Sequence, residues 1–301
     1  MRLEYLYYFK HLAEVLNYTK AAGDLYVAQP TLSTAMKRME NELGFPLFER
    51  DGSKMALTAP GKAFYDNVKP MLASYERGLT LAHEAQGQER TDLHIAATNP
   101  IQTRDFAKAL LDFKKSRPIT PFIKVDHGYE IDLVKRLRDG ELDVLFGSEL
   151  PNMQDLSLTY FWSQPLVAAV NVDNPLASRS SVSIEDLRGY ELITYRADLT
   201  PDCHKIADLL NAHNLECRYE IDQEINMASI ISSETKTVAL PYYSSWLDAY
   251  KDIVCLPIEG LELDFHKLYM ICRREYHPQI VQQFIDFMKQ YRMPENRGPV
   301  A

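Results

Sequence analysis

The sequence predicts a protein that is α/β overall, with an N-terminal winged helix-turn-helix, a long linker helix and a C-terminal two-lobed α/β domain. Three observations predict it. Residues 19–43 hold two helical patterns broken by a tight turn, and a hairpin signal follows them. One helical pattern then runs on from Thr58 through Ala82. From Leu93 strand-like runs alternate with helical ones, the order that gives a parallel sheet covered on both faces.

Taken in order, residues 3–16 form an opening helix with Leu6, Phe9, Leu12, Ala13 and Leu16 on one face, and Asn17 is placed to end it in a left-handed conformation. Thr19 is expected to cap the second helix, and Pro30 is tolerated in the first turn of the third. From Pro30 to Leu43 the residues Leu32, Met36, Met39 and Leu43 fall on one apolar seam. The opposite face collects Pro30, Thr34, Lys37 and Asn41, flanked by Ser33 and Arg38. These are small or hydrogen-bonding side chains suited to a DNA groove and its phosphates. Asp51-Gly52-Ser53-Lys54, between Leu47-Phe48-Glu49-Arg50 and Met55-Ala56-Leu57, reads as a hairpin turn that puts Arg50 and Lys54 on a wing.

These residues resemble the LysR-type transcriptional regulators. The carriers are Tyr8-Phe9, Tyr18-Thr19-Lys20-Ala21-Ala22, Gln29-Pro30-Thr31-Leu32-Ser33, Glu40-Asn41-Glu42-Leu43-Gly44, Pro46-Leu47-Phe48-Glu49-Arg50 and Leu57-Thr58-Ala59-Pro60-Gly61, without a gap from about Leu3 to Lys62. The resemblance implies a sequence-specific regulator of transcription that binds double-stranded DNA. Its contacts would come from Thr19, Lys20, Gln29, Pro30, Thr31, Ser33, Thr34, Lys37 and Arg38, with Arg50 and Lys54 from the wing. Two positions depart from the family. Ala28 stands where a capping Ser is usual, at a cost of about 1 kcal/mol of helix stability. Thr34 stands where Arg or Lys is frequent.

After the wing, Thr58 is expected to cap the long helix, with Pro60 in its first turn. Phe64, Val68, Leu72, Tyr75, Leu79 and Ala82 sustain an apolar seam with no second local helix to cover it, which implies a partner chain. By resemblance this is the linker helix of a homodimer, and the family assembles further as a homotetramer. Pro70 lies inside the helix and is expected to bend it near residues 66–70. Gly87-Gln88-Glu89-Arg90 reads as a hinge.

The domain that follows is expected to run β-α-β-α-β through 93–98, 102–115, 122–125, 130–139 and 142–146. A second series includes 166–170, 192–195, 201–213, 218–221 and 238–240, and residues 267–291 return to the first lobe. This is similar to the family's effector domain, itself similar to type II periplasmic binding proteins. Gly140-Glu141-Leu142-Asp143-Val144, Asn174-Pro175-Leu176-Ala177, Ile184-Glu185-Asp186-Leu187 and Val238-Ala239-Leu240-Pro241 come in the family's order. The expected division is 1–58 for the winged helix-turn-helix, 59–90 for the linker and hinge, and 91–301 for the effector domain. Lobe 1 takes about 91–163 and 267–293, and lobe 2 about 164–266.

Ligands of open α/β sheets bind beyond the carboxyl ends of strands, near helix N-termini. That rule selects Thr98, Asn99, Gln102, Tyr129, Gly147, Ser148, Thr194, Tyr195, Asn226 and Pro241 for a small-molecule effector, and the helix dipoles favour an anionic one.

Composition narrows the alternatives. The net charge of -9 argues against DNA binding by bulk attraction, so the DNA reading rests on the motif. No apolar run is long enough to span a membrane, and Glu4 and Lys10 interrupt the apolar core that a signal peptide needs, so a cytoplasmic location without membrane association is expected. Cys203, Cys217, Cys255 and Cys272 lack metal-ligand spacing, and no metal or cofactor is expected. No catalytic residue is expected either, since no Walker, GxGxxG, HExxH or GxSxG motif occurs. Two alternatives stay open on the residues alone: redox sensing through Cys203 and Cys217, or, in another class, a solute-binding protein or an enzyme.

Overall fold

The computed structural model describes residues 1–301 apart from 1, 52–53, 89, 99–100, 102, 222–223, 246, 275–276, 297 and 300–301, and of Asp51, Glu220 and Glu224 only the backbone. Two compact units divide the chain: 1–88 with 138–141, and 89–137 with 142–301.

The first unit contains α1 (Leu3–Val15), α2 (Tyr18–Asp24), α3 (Gln29–Leu43), a hairpin of β1 (Phe48–Asp51) and β2 (Lys54–Leu57), and α4 (Ala59–Ala85). Its core joins Leu6, Phe9 and Leu12 of α1 to Leu32, Met36 and Met39 of α3 and to Val68 and Leu72 of α4. Each of these buried side chains stabilises the unit by about 2 kcal/mol relative to exposure. α1 ends one residue earlier than expected. Leu16, not Asn17, takes the left-handed turn (φ +50°) and returns its N–H to the Leu12 carbonyl at 2.8 Å.

Thr58 caps α4 as expected, its Oγ1 accepting the Gly61 N–H at 2.9 Å and donating to the Pro46 carbonyl at 2.7 Å. The helix continues through Pro70 without interruption. Its apolar seam divides in two. Phe64, Val68 and Leu72 pack into the core with α1, so the first half is covered within the chain, contrary to expectation. Only the second half is open, with Met71, Tyr75 and Leu79 each more than two-fifths exposed.

The second unit holds two five-stranded sheets. The first, in order β4-β3-β5-β12-β6, contains β3 (Asp92–Ala97), β4 (Phe122–Asp126), β5 (Val144–Ser148), β6 (Leu156–Gln164) and β12 (His266–Arg273). The second, in order β11-β7-β10-β8-β9, contains β7 (Val167–Asn171), β8 (Glu191–Tyr195), β9 (Cys217–Ile221), β10 (Thr237–Ala239) and β11 (Ile253–Pro257). The helices are α5 (Arg104–Lys115), α6 (Glu130–Arg138), α7 (Pro201–Ala212), α8 (Glu224–Ser233) and α9 (Gln279–Gln290).

The sheets are mixed, a correction to the parallel sheet expected from sequence. β4, β3 and β5 run parallel, whereas β12 is antiparallel to β5 and β6; β8 is parallel to β9 and β10, whereas β7 is antiparallel to β10 and β11. The cause is the connection: the chain leaves the first sheet along β6 and re-enters it along β12, so these two neighbours point in opposite directions. The return of β12 and α9 to the first sheet agrees with expectation. Phe284 of α9 meets Phe113 of α5 at 5.0 Å and Phe146 of β5 at 6.1 Å.

In the stretch 87–90, expected as a hinge, Gly87 adopts a φ of +83°, which suits glycine. Arg90 is fixed in place, its Nη1 and Nη2 donating to the two Asp143 oxygens at 2.9 and 2.8 Å. Glu89 lies outside the described residues.

Candidate functional site

The helix-turn-helix is built by local chemistry on either side of one turn. Asn17, extended and directly before α2, accepts the Lys20 N–H at 3.0 Å and is the cap that Thr19 was expected to be. Since Leu16 already closes α1, Asn17 is the last non-helical residue, and Thr19 stands inside the helix, exposed beside exposed Lys20. Tyr26 in the turn adopts φ +56° and is 96% exposed. α3 starts after Ala28, which offers no side-chain acceptor, carries Pro30 in its first turn and ends at Gly44 with φ +82°.

α3 separates two faces. Leu32, Met36 and Met39 are fully buried, while Gln29, Pro30, Thr31, Thr34, Lys37, Arg38 and Asn41 are exposed and Ser33 is half-buried. In the hairpin, Phe48 pairs with Leu57 and Arg50 with Met55, and both Arg50 and Lys54 are exposed. The turn residues Gly52 and Ser53 lie outside the described residues.

In the second unit, the expected effector residues divide. Thr98, directly after β3, is almost fully buried, and its Oγ1 has no hydrogen-bond partner among the described residues. A side chain on Gly147 would meet the Thr98 methyl at 3.1 Å, so Thr98 and Gly147 share one close-packed strand end. Tyr129 stands 42% exposed at the start of α6. Ser148 is buried with its Oγ 2.9 Å from His266 Nε2 and 3.3 Å from Glu130 Oε1.

The other lobe's expected residues are engaged internally. Thr194 Oγ1 donates to the Leu240 carbonyl at 3.0 Å, and Tyr195 Oη accepts the Tyr242 N–H at 3.3 Å. Pro241 is buried, its carbonyl bonded to the Val167 N–H, while Asn226 is exposed on α8. Asn99 and Gln102 lie outside the described residues.

His266, which no motif singled out, is the centre of the buried polar group. Gln164 Nε2 donates to the Tyr243 carbonyl at 3.0 Å, so its Oε1 must accept from His266 Nδ1, also at 3.0 Å. That assigns the proton to Nδ1 and leaves Nε2 to accept from the Ser148 hydroxyl. Burial lowers the His266 pKa to about 4, with Asp202 opposing and Lys205 assisting. The imidazole is therefore a neutral structural link between β12, β6 and β5.

The first turns of α5, α6 and α7 carry Asp105, Glu130 and Asp132, and Asp202, so carboxylates offset the dipoles on which the expectation of an anion rested. The cysteines are held as thiols. Burial raises the Cys203 pKa in spite of hydrogen bonds from Thr200 and Tyr242, and raises Cys217 to about 12. No group of side chains that could hold a metal ion occurs among the described residues.

Two family models match the chain. Residues 3–62 match the bacterial regulatory helix-turn-helix protein, lysR family, and residues 86–292 match the LysR substrate binding domain. This chain belongs to the LysR family of transcriptional regulators.

Relatives of this LysR-family chain include the uncharacterised HTH-type regulator YybE of Bacillus subtilis, 30% identical over 64% of this chain and 66% of its own length. The HTH-type transcriptional activator CmpR of Synechocystis sp. is 26% identical over 93% of this chain and 92% of its own length. Among solved structures, the LysR family regulator CbnR superposes with a TM-score of 0.74 at 22% identity, covering 96% of this chain and 99% of that one, and CbnR has also been solved with its target DNA. The architecture of this LysR protein, a helix-turn-helix domain followed by a mixed α/β substrate-binding domain, is thus that of full-length family members. The family is one of regulators and not of enzymes. No helix among the described residues is long and apolar enough to cross a membrane.

Sequence reasoning missed His266, Gln164, Glu130 and Asp202 of this LysR domain. His266 meets Gln164 and Ser148 through strand pairing across more than a hundred residues, and Glu130 reaches Ser148 from α6, so no spacing reports them. Asp202 carried a signal, the first turn of a helix capped by Thr200, but that signal equally fits an ordinary helix start.

Proposed function

We propose that this regulator inserts α3 into the major groove of an operator, with Gln29, Pro30, Thr31, Ser33, Thr34, Lys37 and Arg38 reading or bracing the DNA. Thr19 and Lys20 meet the backbone at the start of α2, and Arg50 and Lys54 meet it from the wing. The observation that carries the reading is the division of α3 into a fully buried seam of Leu32, Met36 and Met39 and an exposed polar face opposite. The structure of CbnR on its target DNA supports it by fold. The exposed Met71, Tyr75 and Leu79 of α4 support a homodimer through this helix, and the family's habit supports a homotetramer.

The effector is a small molecule with an acidic group, bound between lobe 1 (about 91–163 and 267–293) and lobe 2 (about 164–266). DNA binding and dimerisation are assigned to 1–58 and 59–90. The unpartnered Thr98 hydroxyl, buried beside Gly147 and Ser148, supports a ligand at this strand end, since a buried hydroxyl without a partner costs about 1–3 kcal/mol. Tyr129 is exposed at the adjoining helix start, and Asn99 and Gln102 adjoin in sequence. Thr194, Tyr195 and Pro241 shape the other wall from within, and Asn226 contributes from α8. No catalytic residue, cofactor or metal is assigned, and the protein works in the cytoplasm. Redox control through Cys203 and Cys217 gains no support, because burial keeps both thiols protonated.

The test is binding of the full-length protein to fragments of its own promoter region by fluorescence anisotropy. Lys37→Ala is expected to weaken specific binding about tenfold and reduce the salt slope by about 1. Equal affinity of the wild type for every duplex, at low as at moderate salt, would remove the reading. For the effector, Thr98→Val is expected to abolish the thermal shift produced by any organic acid that shifts the wild type.

A further inference from the structure

A cavity of about 300 Å³, at the small end of the range for metabolite sites, opens between the two lobes. Glu149 and Leu150 line it from just past β5, Asp202 and Lys205 from the first turns of α7, and Lys267 and Tyr269 from β12. Two carboxylates and two ammonium groups thus face one small space. All four act on the Tyr269 phenol, whose pKa is raised by burial first and then by Glu149 and Asp202 against Lys267 and Lys205.

The charges are held unequally. Asp202 is 8% exposed, accepts the Lys267 backbone N–H at 3.3 Å and pairs with Lys205, so its negative charge is fixed at the wall. Lys267 Nζ reaches Asp264 at 2.9 Å. Glu149 has no ion-pair partner among the described residues. An anion entering alone would meet the lysines but leave the Glu149 carboxylate uncompensated, and a cation entering alone would face both lysines. A ligand that carries both signs a few bonds apart satisfies the whole set.

We infer that this cavity binds a zwitterionic α-amino acid, with its carboxylate between Lys205 and Lys267, its ammonium toward Glu149 and Asp202, and its side chain against Leu150. The inference rests on the reading of an effector between the lobes, moves its lining from the Thr98 strand end to the residues just past β5 and at the start of α7, and adds its class. Since Glu149 and Leu150 follow a strand of one sheet while Asp202 and Lys205 belong to the other lobe, an amino acid here ties the lobes together. Its occupancy then biases their separation through its differential affinity for the open and closed forms.

The test is the melting temperature of the full-length protein with each of the standard α-amino acids at saturation. Each amino acid that shifts it is then compared with its N-acetyl derivative, an anion only, and its methyl ester, a cation only. At least one amino acid is expected to raise the Tm by about 2–4 °C or more, and both derivatives to bind at least about tenfold more weakly. Glu149→Gln and Lys205→Met are each expected to weaken binding at least about tenfold, with Lys205→Arg retaining most of it. Silence from every amino acid, a derivative that binds as tightly as its parent, or wild-type affinity in both variants overturns the assignment. If all amino acids are silent while amine-free carboxylic acids raise the Tm and Thr98→Val removes that response, the amino-acid assignment fails and the interlobe effector stands.

Discussion

His266 lies against Tyr242 with ring centroids 4.0 Å apart and planes inclined by 22°, and the stack seals a fully buried imidazole where β12 meets β6 and β5. Its folded pKa of about 4 lies below the unfolded value of 6.5, so the unfolded chain binds the extra proton between those values. This stability is full above pH 6.5 and is lost as pH falls toward about 4. The shift corresponds to about 3 kcal/mol. Urea unfolding at pH 7, 5.5 and 4.5 is expected to show the decline, and His266→Gln to flatten it.

Gly61 and Gly78 both lie inside α4, yet the same substitution should move them in opposite directions. A Cβ on Gly61 would stand 2.0 Å from the Leu47 carbonyl oxygen, so Gly61→Ala is expected to destabilise the first unit by about 2 kcal/mol or more. Nothing lies within 4 Å of a Cβ on Gly78, and Gly78→Ala is expected to stabilise by about 1 kcal/mol. Thermal melts of the two variants check the sign.

The start of α3 is under-stabilised in two independent ways. Ala28→Ser supplies the missing acceptor to the first turn and should add about 1 kcal/mol. Tyr26→Gly relieves a left-handed conformation that costs a side-chain-bearing residue about 1 kcal/mol. Chemical denaturation of the single and double variants should show gains in midpoint without a change in slope.

Arg90 and Asp143 form a bidentate pair, and Asp143 also accepts the His94 N–H at 2.8 Å. Asp143 is 5% exposed, so Arg90→Ala leaves a buried carboxylate without its cation and is expected to cost about 3 kcal/mol. Arg90→Lys keeps the charge but not the fork, and should fall between. Denaturant midpoints for the two variants test the order.

Much of this molecule is local, and what is local was legible. The seam of Leu32, Met36 and Met39, the Thr58 cap, the hairpin strands and the alternation of strand and helix after residue 92 all follow from spacings of a few residues, because helix and strand periodicity are set by the backbone itself. Asn17, expected to end α1, caps α2 in place of Thr19, because the capping position depends on where the preceding helix ends, which Leu16 decides. β6 and β11 were missed because a strand defined by its sheet partners carries a weak pattern of its own.

By itself the sequence determined the helices of the N-terminal unit, the polar and apolar faces of α3 and most of the strand and helix alternation after residue 92, and its motifs carried the resemblance to the family. Tertiary structure alone decided that half of the α4 seam is covered by α1, that His266 is neutral between Ser148 and Gln164, and that two lysines and two carboxylates share one cavity. Each of those rests on side chains brought together across long stretches of chain, where burial and pairing set the charge state and residue spacing carries no record of either.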